Sequence, residues 1–265
     1  MIALVLGGYA LLAAAMAALY LRQLRTRDAT SVDAAWAGGL LVLAILYASL
    51  GDGPIARRAL VGAIAGIWAG RLALHLLADR VLGRRGEEDG RYRALRERWG
   101  DAAPFRFFLF YQAQALVAAV FSLPFLAAMS REGPLGAPDW AGLLVAAAAI
   151  ALESVADRQL ARFRRDPSNR GKTCRDGLWA FSRHPNYFFE WVHWFAYVAI
   201  GRGAPLTFIG PVLMFLFLFR LTGIPYTEAQ ALRSRGDDYR DYQRTTSVFF
   251  PRFPKAGAAK ERGPR

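Results

Sequence analysis

The sequence predicts an all-α membrane protein with about seven transmembrane helices, and three observations predict it. Hydrophobic residues make up 54% of the 265-residue chain, more than a soluble domain of this size needs. They fall in long blocks separated by short arginine-rich segments, the pattern of a chain that crosses a membrane repeatedly. No stretch shows the apolar–polar alternation of a half-buried strand.

The spans follow in order as roughly 2–21, 32–50, 59–78, 105–128, 140–161, 186–201 and 204–222. The first lacks a positively charged lead-in, and its apolar length exceeds the core of a signal peptide, so it reads as a retained helix with its N-terminus outside. The second opens on Ser31-Val-Asp33, a capping pattern. The sixth begins at Pro185, a residue suited to the first helical position because its missing N–H needs no partner there. Residues 79–104 alternate charges at helical spacing and read as a short helix on the membrane surface. Residues 1–254 form one transmembrane domain in this reading, and 255–265 a disordered basic tail.

Charge sets the orientation. The segments 22–30, 79–104, 162–185 and 220–265 together carry 27 Lys and Arg, and the opposite segments 51–58, 129–139 and 202–203 carry 4. The excess marks the first group, including the C-terminus, as cytoplasmic. It also accounts for most of the net charge of +13 without a nucleic-acid partner. With one cysteine, Cys174, the chain forms no internal disulfide, and its three histidines lack a metal-ligand spacing.

Ionisable groups inside spans are costly and point to function. Asp33 stands near the interface, as a helix cap or as a site residue. Trp68, Arg71, His75 and Asp79 follow at spacings of three, four and four, one stripe that is either an interhelical ion pair or a ligand contact. Glu153 and Asp157 lie one turn apart with Arg164 further along the same face; two carboxylates so close need donors between or beside them. The stretch 175–197 passes through Arg183-His184-Pro185-Asn186 into an aromatic helix, where Asn186, Glu190, His193 and Tyr197 share one face. These sets gather toward the cytoplasmic ends of their spans, except Trp68 and Asp33, and imply a cavity open to the cytosol. No glycine-rich fingerprint follows a strand, so a nucleotide would be held by arginine and lysine, with Arg164, Lys172, Arg175 and Arg183 nearest to hand.

Gly177-Leu178-Trp179, Arg183-His184-Pro185-Asn186-Tyr187 and then Glu190 resemble the C-terminal signature of the steroid 5α-reductase family, with its bacterial DUF1295 branch and the related sterol C14 reductases. Gly236-Asp237-Asp238-Tyr239-Arg240-Asp241-Tyr242-Gln243-Arg244 through Pro251 resembles the closing stretch of the same enzymes. Asp33, Trp36, Trp68, Arg71 and Asp89-Gly-Arg91-Tyr92 resemble the bacterial branch. The resemblance implies a membrane oxidoreductase in the bacterial inner membrane that uses NADPH, bound from the cytoplasm, to reduce an activated C=C bond of a lipid or 3-oxo-Δ4 steroid-like substrate. By position it implies cofactor contacts from Glu153, Asp157, Arg164, Lys172, Asn186, Glu190, Arg220, Tyr239 and Arg244, with Arg183 among the basic groups beside them. Asp33, Arg71 and Glu190 are the candidate catalytic residues, and Asp33, Trp68 and His75 the candidate substrate-binding ones. The family's Gln-Glu pair and ketone-binding Tyr are missing; Trp68 stands at the tyrosine's place, and indole does not donate a proton as phenol does. Two other readings compete. A membrane methyltransferase of the isoprenylcysteine carboxyl methyltransferase type shares the Arg-His-Pro-x-Tyr helix start and binds S-adenosylmethionine, and a non-enzymatic lipid-binding protein would keep the fold alone.

Overall fold

The computed structural model describes residues 1–83, 87–221 and 223–253. Among them every regular element is helical. The helices are α1 (Ile2–Thr26), α2 (Val32–Leu50), α3 (Ile55–Leu76), α4 (Gly90–Trp99), α5 (Ala103–Met129), α6 (Ala137–Arg165), α7 (Pro185–His193), α8 (Phe195–Ile200), α9 (Ile209–Leu216), α10 (Ile224–Arg235) and α11 (Asp237–Thr245). Six helical segments among the described residues are long and apolar enough to cross a membrane: 2–26, 32–50, 55–82, 90–129, 137–165 and 205–235. The protein is therefore an all-α polytopic membrane protein. The expected basic tail at 255–265 lies outside the described residues.

The expected sixth span differs from its prediction. Instead of one helix over 186–201, α7 ends at His193 and α8 restarts at Phe195. Trp194 N–H turns back to the Trp191 carbonyl, a tight i→i+3 closure of the kind that ends helices. Tyr197 is thus not on one continuous helical face with Asn186, Glu190 and His193. The start at Pro185 is as expected.

The chain divides into two compact units, residues 1–143 with 197–210, and residues 144–196 with 211–265. In the first unit α2 packs on α3 and α5, and α1 packs on α5. Its core is aromatic and alanine-rich: Trp36 meets Phe121 edge-on, Trp68 meets Phe125, and Tyr47 hydrogen-bonds Ser122 at 3.0 Å. Apolar side chains such as Ile2, Leu6, Leu11 and Leu21 on α1 stay exposed, as expected of a helix facing lipid.

Two of the four cations in the segments expected opposite the cytoplasm are used up by the fold. Arg57 is fully buried and donates to both oxygens of buried Asp139, to the carbonyls of Glu132, Gly133 and Pro134, and to that of Arg131. Arg58 closes the end of α2 by donating to the Ala48 and Ser49 carbonyls, which have no partner within the helix. In the second unit the core around α7 is a cluster of rings: Phe188, Trp191, Phe215, Phe219, Phe249 and Phe250.

Candidate functional site

The second unit builds its site from the segment that precedes α7. Gly177 adopts φ +58°, and a Cβ there would lie 2.2 Å from the Gln159 side chain. That close approach lets Gln159 Oε1 accept the Leu178 N–H at 3.0 Å, while the Trp179 indole donates to the Ala156 carbonyl at 2.9 Å. The Gly-Leu-Trp turn is thereby fixed to α6. Its other side is held by the C-terminal region. Tyr242 Oη donates toward the carbonyls of Trp179 and Ser182 at 2.5 and 3.1 Å, Ser182 Oγ donates to the Phe249 carbonyl, and Arg183 N–H donates to that of Ser247. Burial pushes the Tyr242 phenol up, so it acts as a neutral donor.

One carboxylate gathers these segments. Glu228 Oε1 accepts from Arg183 Nε at 2.7 Å and Tyr239 Oη at 3.3 Å, with His184 Nε2 at 3.3 Å, and Glu228 Oε2 accepts from Gln243 Nε2 at 2.8 Å. Arg183 also donates to the Gln243 and Thr246 carbonyls. Buried His184 stacks on Tyr187, their rings 6° from parallel. Desolvation lowers the His184 pKa and outweighs the opposing pull of Glu228. The sequence reading missed Glu228 as a site residue. Its signal was a lone carboxylate in the apolar opening of α10, which the guanidinium at 183 and the imidazole at 184 could meet.

Along α6, Glu153, Asp157, Leu160 and Arg164 follow at helical spacing, over about 16 Å of helix. Glu153 at one end is buried, as is Glu190 on α7. Asp157 in the middle accepts from Asn186 Nδ2 at 3.1 Å. Arg164 at the other end lines a cleft of about 520 Å³. The end of α6, the loop 166–174 and α10 form its walls. Arg164, Arg165, Arg170, Lys172 and Arg235 supply five cations to it against one acid, Asp166. Cys174 also lines the cleft, but burial raises its thiol pKa, which keeps it protonated and unreactive.

The structure sorts the expected cofactor residues. Arg164 and Lys172 line the cleft and are exposed to it, whereas Arg175 forks onto Asp241 and Asp238 and Arg183 is engaged by Glu228. Asn186 and Asp157 meet directly. Tyr239 points into the Glu228 cluster. Arg220 is exposed beyond α9, and Arg244 is exposed and pairs with Asp241 at 3.4 Å; neither lines the cleft. Arg165, Arg170 and Arg235, which do, were not among the expected set.

The expected substrate residues all belong to the first unit. Asp33, in the first turn of α2, makes no helix-capping bond, and Ser31 at the cap position makes none either. Instead the Asp33 carboxylate accepts from Arg80 at 2.6 Å, Arg91 at 2.7 Å and Tyr92 at 2.5 Å. Beside it Thr30 Oγ1 accepts the Asp89 N–H, and Glu88 accepts from Arg96 and the Ala29 N–H. Trp68 is fully buried, Arg71 half-buried and His75 exposed. The helical stripe they share does not reach Asp79, because α3 gives way at Leu77 to a π-helical turn that shifts the register. Among the described residues no group of three His, Cys, Asp or Glu is arranged to hold a metal.

A family model matches residues 19–246, most of the chain, under the description "Protein of unknown function (DUF1295)". The chain belongs to the DUF1295 family. No curated protein and no solved structure gives a significant match to it.

Proposed function

We propose that this DUF1295 protein is an integral membrane oxidoreductase of the steroid 5α-reductase type, which uses NADPH to reduce an activated C=C bond in a lipid. The observation that carries the reading is the α6 stripe, which runs from the buried carboxylate Glu153 through the Asp157–Asn186 pair to a cleft walled by five cations. That sequence of environments suits a dinucleotide: an uncharged amide-bearing ring at one end and phosphates at the other.

The chain's own groups would divide the work. Arg164, Arg165, Arg170, Lys172 and Arg235 offer donors and charge for the pyrophosphate and the 2′-phosphate. Glu190 and Asn186, one turn apart on α7, would orient the carboxamide by hydrogen bonds. Fixing ring rotation in this way lowers the entropy lost on reaching the reactive geometry. The aromatic cluster around α7 would keep water away from a hydride donor bound beside it. NADPH, when bound, supplies the hydride that adds to the β-carbon of a polarised alkene. In the first unit the carboxylate of Asp33 is already held by three donors. In this reading the nucleotide enters from the cytoplasmic side of a bacterial inner membrane, and the charge asymmetry of the loops supports the choice of side.

The test is a thermal-shift titration of the detergent-purified protein with NADPH, NADH and S-adenosylmethionine, followed by NADPH oxidation with a 3-oxo-Δ4 steroid or another enone lipid. The expected result is stabilisation by NADPH above NADH and none by S-adenosylmethionine. Stabilisation by S-adenosylmethionine alone would sink the reductase reading in favour of a methyltransferase, and silence toward all three would favour a lipid-binding scaffold.

A further inference from the structure

We propose that α10 is a two-faced positioning helix, and that Glu228 on it couples anion binding in the basic cleft to the placement of Asn186 at the start of α7. The inference rests on the nucleotide reading above and deepens it.

One face of α10 carries Thr227, Gln230, Ala231 and Ser234, and these line the cleft together with Arg235. Their spacing of three or four residues is that of a single helical face. Glu228, one residue on from Thr227, is rotated by about 100°, and it faces the Arg183–His184 turn instead. Two contacts therefore join this helix to the start of α7. Glu228 meets His184 at 3.3 Å, and Thr227 Oγ1 meets Tyr187 Oη at 3.3 Å. Residues 184 and 187 flank Asn186, whose amide holds Asp157. An anion that draws Arg235 and the α10 face toward it loads the same helix that grips both sides of Asn186.

The carboxylate is specific to this task. Both oxygens are used, and both accept: Oε1 from Arg183 and Tyr239, Oε2 from Gln243. A glutamine keeps the volume but turns one acceptor into a donor, which faces either the Arg183 guanidinium or the Gln243 amide with hydrogen against hydrogen. It also removes the charge opposite Arg183. The cleft lining does not include Glu228, so the cations there are left in place.

Isothermal titration of the full-length protein in detergent tests the coupling with two probes, 2′,5′-ADP, which carries only the phosphorylated adenosine half, and NADPH. In Glu228→Gln the affinity for 2′,5′-ADP is expected to stay within threefold of wild type, while that for NADPH falls tenfold or more. Gln243→Ala withdraws one donor from Glu228 and leaves its charge; it is expected to give the same split at about threefold, and it serves if Glu228→Gln does not fold. Equal affinities of wild type and variants for NADPH would overturn the coupling. An equal loss for both probes would overturn it too, by showing general damage to the unit. A wild-type protein that binds neither probe would overturn the nucleotide reading and this inference together.

Discussion

The two units each hold a carboxylate in a cage of arginine and tyrosine donors, and the two cages do different things. Asp33 is bound by Arg80, Arg91 and Tyr92; Glu228 is bound by Arg183, Tyr239 and Gln243, with His184 alongside. Around Asp33 the neighbouring bonds, Thr30 to Asp89 and Ala29 to Glu88, tie the α1–α2 turn to the start of α4. That cage closes a loop. Around Glu228 the same chemistry stands on a helix whose next face lines the basic cleft. A caged carboxylate is therefore not by itself a site; what its helix does on the other side decides.

The comparison breaks or holds on measurements that ask different questions of the two units. The largest effect is expected from Glu190→Gln in the second unit. Its NADPH-dependent turnover should fall about 100-fold, the scale of removing one oriented polar contact from an active site, with little change in melting temperature. Unchanged activity would make Glu190 a structural residue. Next, Arg164→Ala and Lys172→Ala should each weaken NADPH about tenfold, with a smaller loss for NADH and a loss that shrinks as salt rises. Equal losses for both nucleotides would move the 2′-phosphate away from this cleft. Asp33→Asn, by contrast, should lower stability by about 1–3 kcal/mol, because the charge is lost and one acceptor oxygen becomes a donor facing other donors, while leaving nucleotide affinity as it was. A wild-type melting temperature with lost turnover would restore Asp33 to the catalytic set.

The smallest effect concerns pH. Burial holds the His184 pKa below its ordinary value of 6.5, so in the window beneath 6.5 the unfolded chain binds a proton that the folded chain resists. Stability must therefore fall as pH drops through that window, and His184→Gln should flatten the slope. Melting temperatures at pH 7.5 and 5.5 for the two proteins check it, and an identical slope would assign the pH response to other groups.

How much of this was legible in the sequence follows from the range of each interaction. The helices were read from local pattern, and the Pro185 start was correct because proline acts within its own turn. The break at Trp194 carries no proline or glycine and was not visible. The stripe Glu153, Asp157, Arg164 was legible because it lies on one helix. Arg175 and Arg183 looked as available as Arg164 and Lys172, and the difference lies in acids far along the chain: Asp241 is 66 residues from Arg175 and Glu228 is 45 from Arg183. Spacing on one helix says nothing of partners that arrive so late. The partners of Asp33 were illegible in the same way, since Arg80 and Arg91 stand 47 and 58 residues beyond it.

The clamp around Arg57 has a consequence for biogenesis. Its carboxylate partner, Asp139, is made 82 residues later. At roughly 5–20 residues per second of synthesis, that is a wait of about 4–16 seconds. During it a guanidinium destined for full burial has no counter-charge, and a bare cation at that depth is costly. The nascent α3 must therefore keep its N-terminal end at the water boundary until α6 is delivered. The 1–143 part of the first unit is thus closed by a latch rather than helix by helix, and truncation before residue 139 should leave a chain that inserts yet stays open to proteases at the 131–134 loop.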